Sequence, residues 1–326
     1  MNIMITGGAG YVGSHLALYL LKKTDYKIYS IDDFSNSSLP VINKIEKKFT
    51  SRFFFKKIDI RNKKKLSNFF IKNNIDVIIH LAAKIEAAES FKKKKLYKSV
   101  NLDGTKNLIK LAECHQVDKF IFASSAAVYG NSKTSLCSEK KLLKPINPYG
   151  QYKLSIEKFI LKKKCKIKFV ILRFFNIAGI NKFFYSFFRK RTSIFFILVN
   201  FLIRPKRFFC INGTNNLTKD NSTERDFIHI NDICSIIYQV LFLDNKLILL
   251  NCGSGIKTSI LQLINKLQKI ARVKIQTKII KTRIGDPRSV ISNSAYLQKK
   301  IKLQKFTNIN TILKDGFKMS LYFKKK

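Results

Sequence analysis

No two of the six cysteines stand in C-x-x-C spacing, so the sequence offers no zinc motif. The four histidines, at 15, 80, 115 and 229, show no metal-ligand spacing either, and no metal is expected. His229, on the strand-like FIHI, reads as structural. No stretch approaches the roughly 20 apolar residues that a membrane-spanning helix needs. The most apolar run, Ile194–Ile203 (IFFILVNFLI), is ten residues long and contains Asn200, which suits a buried helix. Met1 is followed almost at once by a strand-like run, so no targeting segment is expected; without a secretory context a disulfide framework is not expected either, and the expected compartment is the cytoplasm.

Acidic residues are scarce: 20 Asp and Glu stand against 63 Lys and Arg, a formal net charge of +43. Such an excess would suit a nucleic acid or an anionic membrane, because Lys and Arg neutralise phosphates. The lysines, however, are scattered in many short runs, such as Lys63-Lys64-Lys65, Lys92-Lys93-Lys94-Lys95 and Lys162-Lys163-Lys164, rather than gathered on one element. Trp is absent, Pro numbers 5 and Gly 13, while Lys, Ile, Asn and Phe are abundant throughout. We read the charge as compositional drift on a solvated surface, with no specific nucleic-acid partner and no membrane insertion. Anionic substrates would be attracted regardless.

Apolar residues make up 46% of 326, enough for a large core in one or two domains. In the first half, short β-rich runs alternate with helical patterns. Strands are predicted at Asn2–Thr6, 27–31, 53–58, 76–80 and 119–123, with a sixth at 166–172, and helices near 12–23, 62–73 and 95–115. That alternation implies βαβ units: an α/β fold with a doubly wound parallel sheet covered on both faces. The pattern blurs after about residue 175. We therefore place a nucleotide-binding domain at 1–175 and a smaller α/β substrate lobe at 176–326, with the strand-like 247–251 returning to the sheet.

The first strand ends in Thr6-Gly7-Gly8-Ala9-Gly10-Tyr11-Val12-Gly13, and a helical pattern follows. Gly8, Gly10 and Gly13 fit G-x-G-x-x-G, and Gly7, Gly10 and Gly13 fit G-x-x-G-x-x-G. Such a loop makes a tight turn, admits a pyrophosphate, and aims helix N–H groups at it. Asp32 lies nineteen residues past Gly13, after the second strand. A carboxylate there accepts from a ribose 2′-OH and repels a 2′-phosphate. No arginine follows in Asp33-Phe34-Ser35, so NAD is favoured over NADP. Further on, NPYGQYKLS places Pro148 at a helix start. Tyr149 and Lys153, at i and i+4, share a helix face. An ammonium and a nicotinamide cation could together lower the tyrosine's pKa toward neutrality, as a general base requires. Ser125, in SSAAVYG at the end of the fifth strand, could bridge a substrate oxygen and the phenol.

Together these residues resemble the extended short-chain dehydrogenase/reductase family, over nearly the whole chain, and within it the nucleotide-sugar 4-epimerases. The glycine loop and Y-x-x-x-K mark only the superfamily. The Glu-Ser of HLAAKIEAAES, the FNIAG of LRFFNIAG and the RDFIH of TERDFIHINDI are narrower, and RIGDP also carries the match. The resemblance implies a Rossmann-type fold, retained NAD, a UDP-sugar substrate and a homodimer. It implies epimerisation at C4 of UDP-hexoses through a transient 4-keto sugar, with Ser125, Tyr149 and Lys153 catalytic. Asp32, Asn36, Ser37, Asp59, Ile60, Leu81, Ala82, Ala83, Asn101 and Phe175 would join Gly7, Gly10, Tyr11, Val12, Gly13, Tyr149 and Lys153 around the cofactor. Ser125, Tyr149, Asn176, Arg225, Arg283 and Val290 would face the sugar nucleotide; arginine forks suit phosphate oxygens. Similar 4,6-dehydratases carry acidic residues where this chain has Ala126 and Ala127, which argues against elimination. Thr192-Ser193-Ile194 departs from the usual Asn or His before Leu, and Asp226-Phe227 replaces the commoner Asp-Tyr. Val290 stands where a bulky Tyr is common, so an N-acetyl group could fit. Two alternatives stay open: a related enzyme acting on UDP-GlcNAc or UDP-glucuronate, and a non-catalytic NAD- or RNA-binding protein.

Overall fold

Runs rich in Ile, Val and Phe become strands wherever both of their faces can be covered, and helical stretches between them supply the cover. The computed structural model describes residues 1–131, 136–188, 192–215, 217–302 and 305–325. Its strands are β1 (Asn2–Thr6), β2 (Lys27–Asp32), β3 (Phe53–Lys57), β4 (Val77–His80), β5 (Lys119–Ser125), β6 (Leu136–Cys137), β7 (Lys168–Phe174), β8 (Asn176–Ala178), β9 (Phe209–Asn212), β10 (Glu224–His229), β11 (Leu247–Cys252), β12 (Lys257–Ser259), β13 (Thr277–Ile280) and β14 (Ser289–Ser292). Its helices are α1 (Tyr11–Lys23), α2 (Leu39–Glu46), α3 (Lys63–Lys72), α4 (Ala87–Lys92), α5 (Lys94–Tyr97), α6 (Thr105–Cys114), α7 (Pro148–Leu161), α8 (Ile194–Ile203), α9 (Ile230–Val240), α10 (Ile260–Ala271), α11 (Ala295–Lys300) and α12 (Ile309–Lys324).

Two compact units divide the chain. The first holds 1–130, 143–174 and 234–250; the second holds 131–142, 175–233 and 251–326. A seven-stranded sheet in the order β11-β7-β5-β4-β1-β2-β3 organises the first. Pairing from β3 through β7 is parallel. The chain builds outward from β1 to β3, then returns to lay β4, β5 and β7 on the other side. Strand order therefore reverses between β1 and β4, where such sheets open a crevice at the strands' carboxyl ends. Met4, Ile31, Ile78, Phe120, Phe122 and Ile171 are among the buried residues that α3, α6 and α7 cover with Leu66, Phe70, Leu108, Ile109, Ile156 and Ile160.

One helix differs from expectation. The 95–115 stretch is not continuous: α5 gives way to a π-helical turn, Lys98–Gly104, before α6. The Asn101 side chain explains the bulge. Its amide pairs with the backbone of Lys84, accepting from the N–H at 2.9 Å and donating to the C=O at 2.8 Å. Widened turns of this kind recur at functional sites.

Beneath β5, β7 and α7 lies a buried ion pair. Arg173 on β7 donates through Nε to Glu157 Oε1 at 3.0 Å and through Nη2 to Oε2 at 2.6 Å. Ser124 Oγ donates to the same carboxylate at 2.5 Å, and Arg173 Nη1 donates to the Tyr129 hydroxyl at 2.8 Å. Glu157 is 0% exposed and Arg173 2%.

In the second unit, β12, β10, β14 and β6 form one path, β8 adds to β10, and β13 pairs with β9 separately. Asp226 of β10 is fully buried and accepts four hydrogen bonds: from the N–H groups of Ser254, Gly255 and Ser292 at 2.7, 2.9 and 3.0 Å, and from the Ser254 hydroxyl at 2.7 Å. The apolar run of α8 is a buried helix, with Phe195, Phe196, Leu198, Val199 and Leu202 inside and α12 packed against it. Among the described residues no helix is long and apolar enough to cross a membrane.

Glu157→Ala would leave the Arg173 guanidinium buried without the Glu157 carboxylate that balances its charge. It is expected to lower the unfolding free energy by about 3–5 kcal/mol, whereas the apolar double replacement Glu157→Met with Arg173→Met should lose much less. Urea unfolding of the three proteins decides it; equal losses in the two variants would mean that the stranded charge is not what destabilises Glu157→Ala.

Candidate active site

The first strand turns into α1 through a glycine loop that tolerates no side chain where the two meet. A Cβ on Gly13 would sit 2.3 Å from the Gly7 carbonyl oxygen and 2.7 Å from the Gly8 Cα. The Gly7 and Gly8 N–H groups donate to the Ile31 carbonyl at 2.8 and 3.2 Å, tying the loop to β2. Gly10 is the N-cap of α1, and no side chain caps it. An anion can therefore meet the first-turn N–H groups and the positive end of the helix. Tyr11 is buried and Val12 half-buried in this first turn.

At the end of β2, Asp32 is 8% exposed. Its Oδ2 accepts from the Ala9 N–H at 3.0 Å; its Oδ1 accepts from the Phe34 N–H at 2.9 Å and the Ser37 hydroxyl at 2.8 Å. Burial raises its pKa, and the donors from Ser37, Phe34 and Ala9 oppose that. Phe34 holds a left-handed conformation, φ 61°, uncommon for a bulky residue. Asn36 is exposed and accepts from Lys84 Nζ at 3.4 Å. Asp59 is gripped by the Arg61 guanidinium, which holds its carboxyl below the usual range. Ile60 is buried, and Leu81, Ala82 and Ala83 are half-buried. An uncapped helix N-terminus, a tight glycine loop and a carboxylate at the second strand's end fit the diphosphate and ribose of a dinucleotide. Lys84 escaped the sequence reading. Nothing marks one lysine among so many until Asn101 is seen to fix its backbone.

Two of the three candidate catalytic residues, Tyr149 and Lys153, stand on α7, and Ser125 ends β5. The α7 N-cap, Asn147, accepts from the Gly150 N–H at 2.8 Å, Pro148 occupies the first turn, and the Tyr149 N–H donates to Ser90 Oγ at 3.2 Å. A Cβ on Gly150 would come within 2.6 Å of the Ala127 carbonyl oxygen, so only glycine lets the helix start come this close to the segment after β5. The structure thereby brings Ser125, Tyr149 and Lys153 together. Ser125 lies beside the Tyr149 phenol, near enough to lower its pKa. Burial chiefly raises the Tyr149 pKa; Ser125 lowers it in part and the Glu86 charge adds to the rise. Lys153 Nζ donates to the Ala123 carbonyl at 2.6 Å and lies 5.9 Å from the Tyr149 ring centroid. Lys153 is 4% exposed, and burial pushes its ammonium down to about 7 against the pull of Glu157.

The other candidates belong to the second unit. Phe175 is buried there, and its N–H donates to the Cys252 carbonyl at 3.1 Å. Asn176 begins β8 and donates to the Asp226 carbonyl at 3.3 Å. Arg225 is held by the Glu224 carbonyl at 2.8 Å and by Asp286 Oδ1 at 2.5 Å, the aspartate of RIGDP. Val290 is the register partner of Arg225 and is 4% exposed. Arg283 is exposed.

Fold and site define a dinucleotide-dependent enzyme of the short-chain dehydrogenase/reductase class. Residues 3–251 match the NAD dependent epimerase/dehydratase family, and the chain belongs to it. It is 30% identical over 328 residues to UDP-glucose 4-epimerase 2 of Oryza sativa subsp. japonica, across 96% of this chain and 80% of that protein. Its fold resembles UDP-glucose 4-epimerase from Bifidobacterium longum, solved with NAD+ and UDP, at a TM-score of 0.90 and 26% identity over 99% of this chain and 98% of that one. It also resembles the UDP-Glc/GlcNAc 4-epimerase of Campylobacter jejuni, at a TM-score of 0.82 and 32% identity over 98% and 99% of the two chains.

Lys153 has a folded pKa near 7 and an ordinary value of 10.5. Between those values the unfolded chain binds more protons, so stability rises with pH across this window and the burial cost is fully present below it. The whole span corresponds to about 3–5 kcal/mol. Lys153→Met is expected to flatten the rise in unfolding free energy between pH 7 and 10. An unchanged slope in urea titrations would place the ammonium in a far more polar setting.

Proposed function

We propose that this chain interconverts UDP-glucose and UDP-galactose by epimerisation at C4, with NAD retained through turnover. Ser125 beside the Tyr149 phenol, with Lys153 on the same helix face as that tyrosine, is the observation that carries this reading. Bound NAD+ supplies a reversible hydride acceptor for C4 of the sugar. Tyr149 takes the proton of the 4-hydroxyl, and Ser125 holds both oxygens in line. Burial works against the phenolate, so Tyr149 needs positive charge beside it to act near neutrality. A drop from about 10 to about 7 corresponds to roughly 4 kcal/mol. Lys153 supplies part of that charge, and the oxidised cofactor's ring the remainder. Ala126 and Ala127 offer no acid to expel water from the sugar, which favours epimerisation over dehydration.

Gly7, Gly10, Tyr11, Val12 and Gly13 receive the cofactor diphosphate, with Asp32, Ser37 and Asn36 at the adenosine ribose. Asp59 and Ile60, Leu81 to Ala83, Asn101 and Phe175 complete the lining. Asn176, Arg225 and Arg283 hold the sugar nucleotide's diphosphate. Val290, a small side chain on β14, supports UDP-GlcNAc as an additional substrate. A homodimer is part of the same reading. So is a cytoplasmic location.

Purified protein given UDP-galactose without added NAD is expected to form UDP-glucose. Tyr149→Phe should reduce the rate by about 10²–10⁴-fold. No conversion even with NAD supplied, or turnover of UDP-glucuronate alone, would defeat this reading.

A further inference from the structure

His80 ends β4 with both ring nitrogens engaged and 1% of its surface exposed. Nδ1 lies 2.7 Å from Thr6 Oγ1, and Nε2 lies 2.8 Å from Thr105 Oγ1. The direction of each bond can be fixed. The Thr105 hydroxyl donates to the Asn101 carbonyl at 2.9 Å, and a carbonyl cannot donate. That hydroxyl has spent its one proton, so it accepts from His80 Nε2–H. On the other side, the Ala82 N–H donates to Thr6 Oγ1 at 3.2 Å, leaving the Thr6 hydroxyl proton for Nδ1. A single polarised chain results: Ala82 N–H to Thr6, Thr6 to His80, His80 to Thr105, Thr105 to the Asn101 carbonyl. The Asn101 side chain closes it by pairing with both backbone groups of Lys84.

This circuit surrounds the segment that follows β4. That segment lies directly on the glycine loop: a Cβ on Gly7 would come within 2.8 Å of the Ala82 nitrogen. At its far end Lys84 reaches Asn36 in the loop after β2. The circuit therefore couples three pieces of the dinucleotide site: the end of β1, the stretch from Leu81 to Lys84, and the π-helical turn bearing Asn101.

We propose that His80, as the neutral Nε2–H tautomer, is a positioning residue that holds Leu81 through Lys84 against the glycine loop in the geometry that retains NAD. The inference rests on the NAD reading above. Protonating the ring would make both nitrogens donors and strand the Thr6 hydroxyl proton, so the circuit admits one state. Burial and the nearby Lys153 charge, which hold the His80 pKa down to about 3, agree with that requirement.

Two measurements test it on the full chain. Nitrogen-15 NMR of the imidazole is expected to show protonated Nε2 and bare Nδ1 at neutral pH; an Nδ1–H tautomer or a cation overturns the proposal. Calorimetric titration with NAD+ of protein first stripped of bound cofactor is expected to show about tenfold weaker binding for Thr105→Val, with affinity restored in Thr105→Ser and kcat at saturating NAD+ close to wild type. Wild type that binds while Thr105→Val binds equally well defeats this inference alone. Wild type that binds no NAD+ defeats the cofactor reading and this inference with it. Should Thr105→Val not fold, the wild-type tautomer still decides.

Discussion

An ammonium group buried without a carboxylate of its own governs the first unit. Lys153 has Ala123's carbonyl as its hydrogen-bond acceptor. Glu157, one helical turn further along α7, is spoken for by Arg173 and Ser124. Had Glu157 been free, the pair would have neutralised itself and Lys153 would have stayed a fixed cation. Instead the two charges are kept apart on the same helix. Arg173 takes the carboxylate, and Lys153 is left in an environment where its proton is held only moderately. Tyr149, at the other end of this face, is meanwhile pushed toward the neutral phenol. The protein alone is thus not set for base chemistry at neutral pH. A positive charge delivered to the site would favour phenolate, which couples the chemistry to a bound oxidised dinucleotide.

Close approach is the second constraint, and it is met by removing side chains. Gly13 lets α1 cross the loop that precedes it, and Gly150 lets α7 begin against Ala127. It is the backbone carbonyl of Ala127 that Gly150 meets, so here glycine clears the way for main chain rather than for a neighbouring side chain.

Much of this was legible in the sequence because it depends on local pattern. Strands at the centre of a parallel sheet announce themselves as apolar runs, and the Gly13-to-Asp32 spacing reflects one α1–β2 unit. The Tyr149–Lys153 face follows from helical periodicity alone. What escaped depends on contacts distant in sequence. The interruption at Lys98–Gly104 arises from Asn101 reaching Lys84, and nothing in the helical pattern of 95–115 signals it. The Glu157–Arg173 pair joins a helix to a strand, and Lys84 is indistinguishable from its many neighbours in composition. In the second unit, β6, β8 and β12 span two or three residues each, too short to show any period. The expectation of a lowered tyrosine pKa considered the neighbouring cations and left out burial, which is the larger effect.

The charge imbalance looks different once burial is considered. The chain has three times as many basic residues as acidic ones, yet where desolvation is severe the acids are carefully provided for. Asp32, Glu157 and Asp226 are buried, and each accepts three or four hydrogen bonds. Two lysines are buried among the described residues, Lys119 and Lys153, and both donate to backbone carbonyls. Lys119 caps the buried carbonyl end of α9, a favourable place for a cation. Lysine can accumulate on a solvated surface at little cost, because water screens each charge. It cannot do so inside, where an unpaired charge costs several kcal/mol. Composition is therefore free to wander outside and is tied down residue by residue within, which is why a chain this basic still presents a legible site.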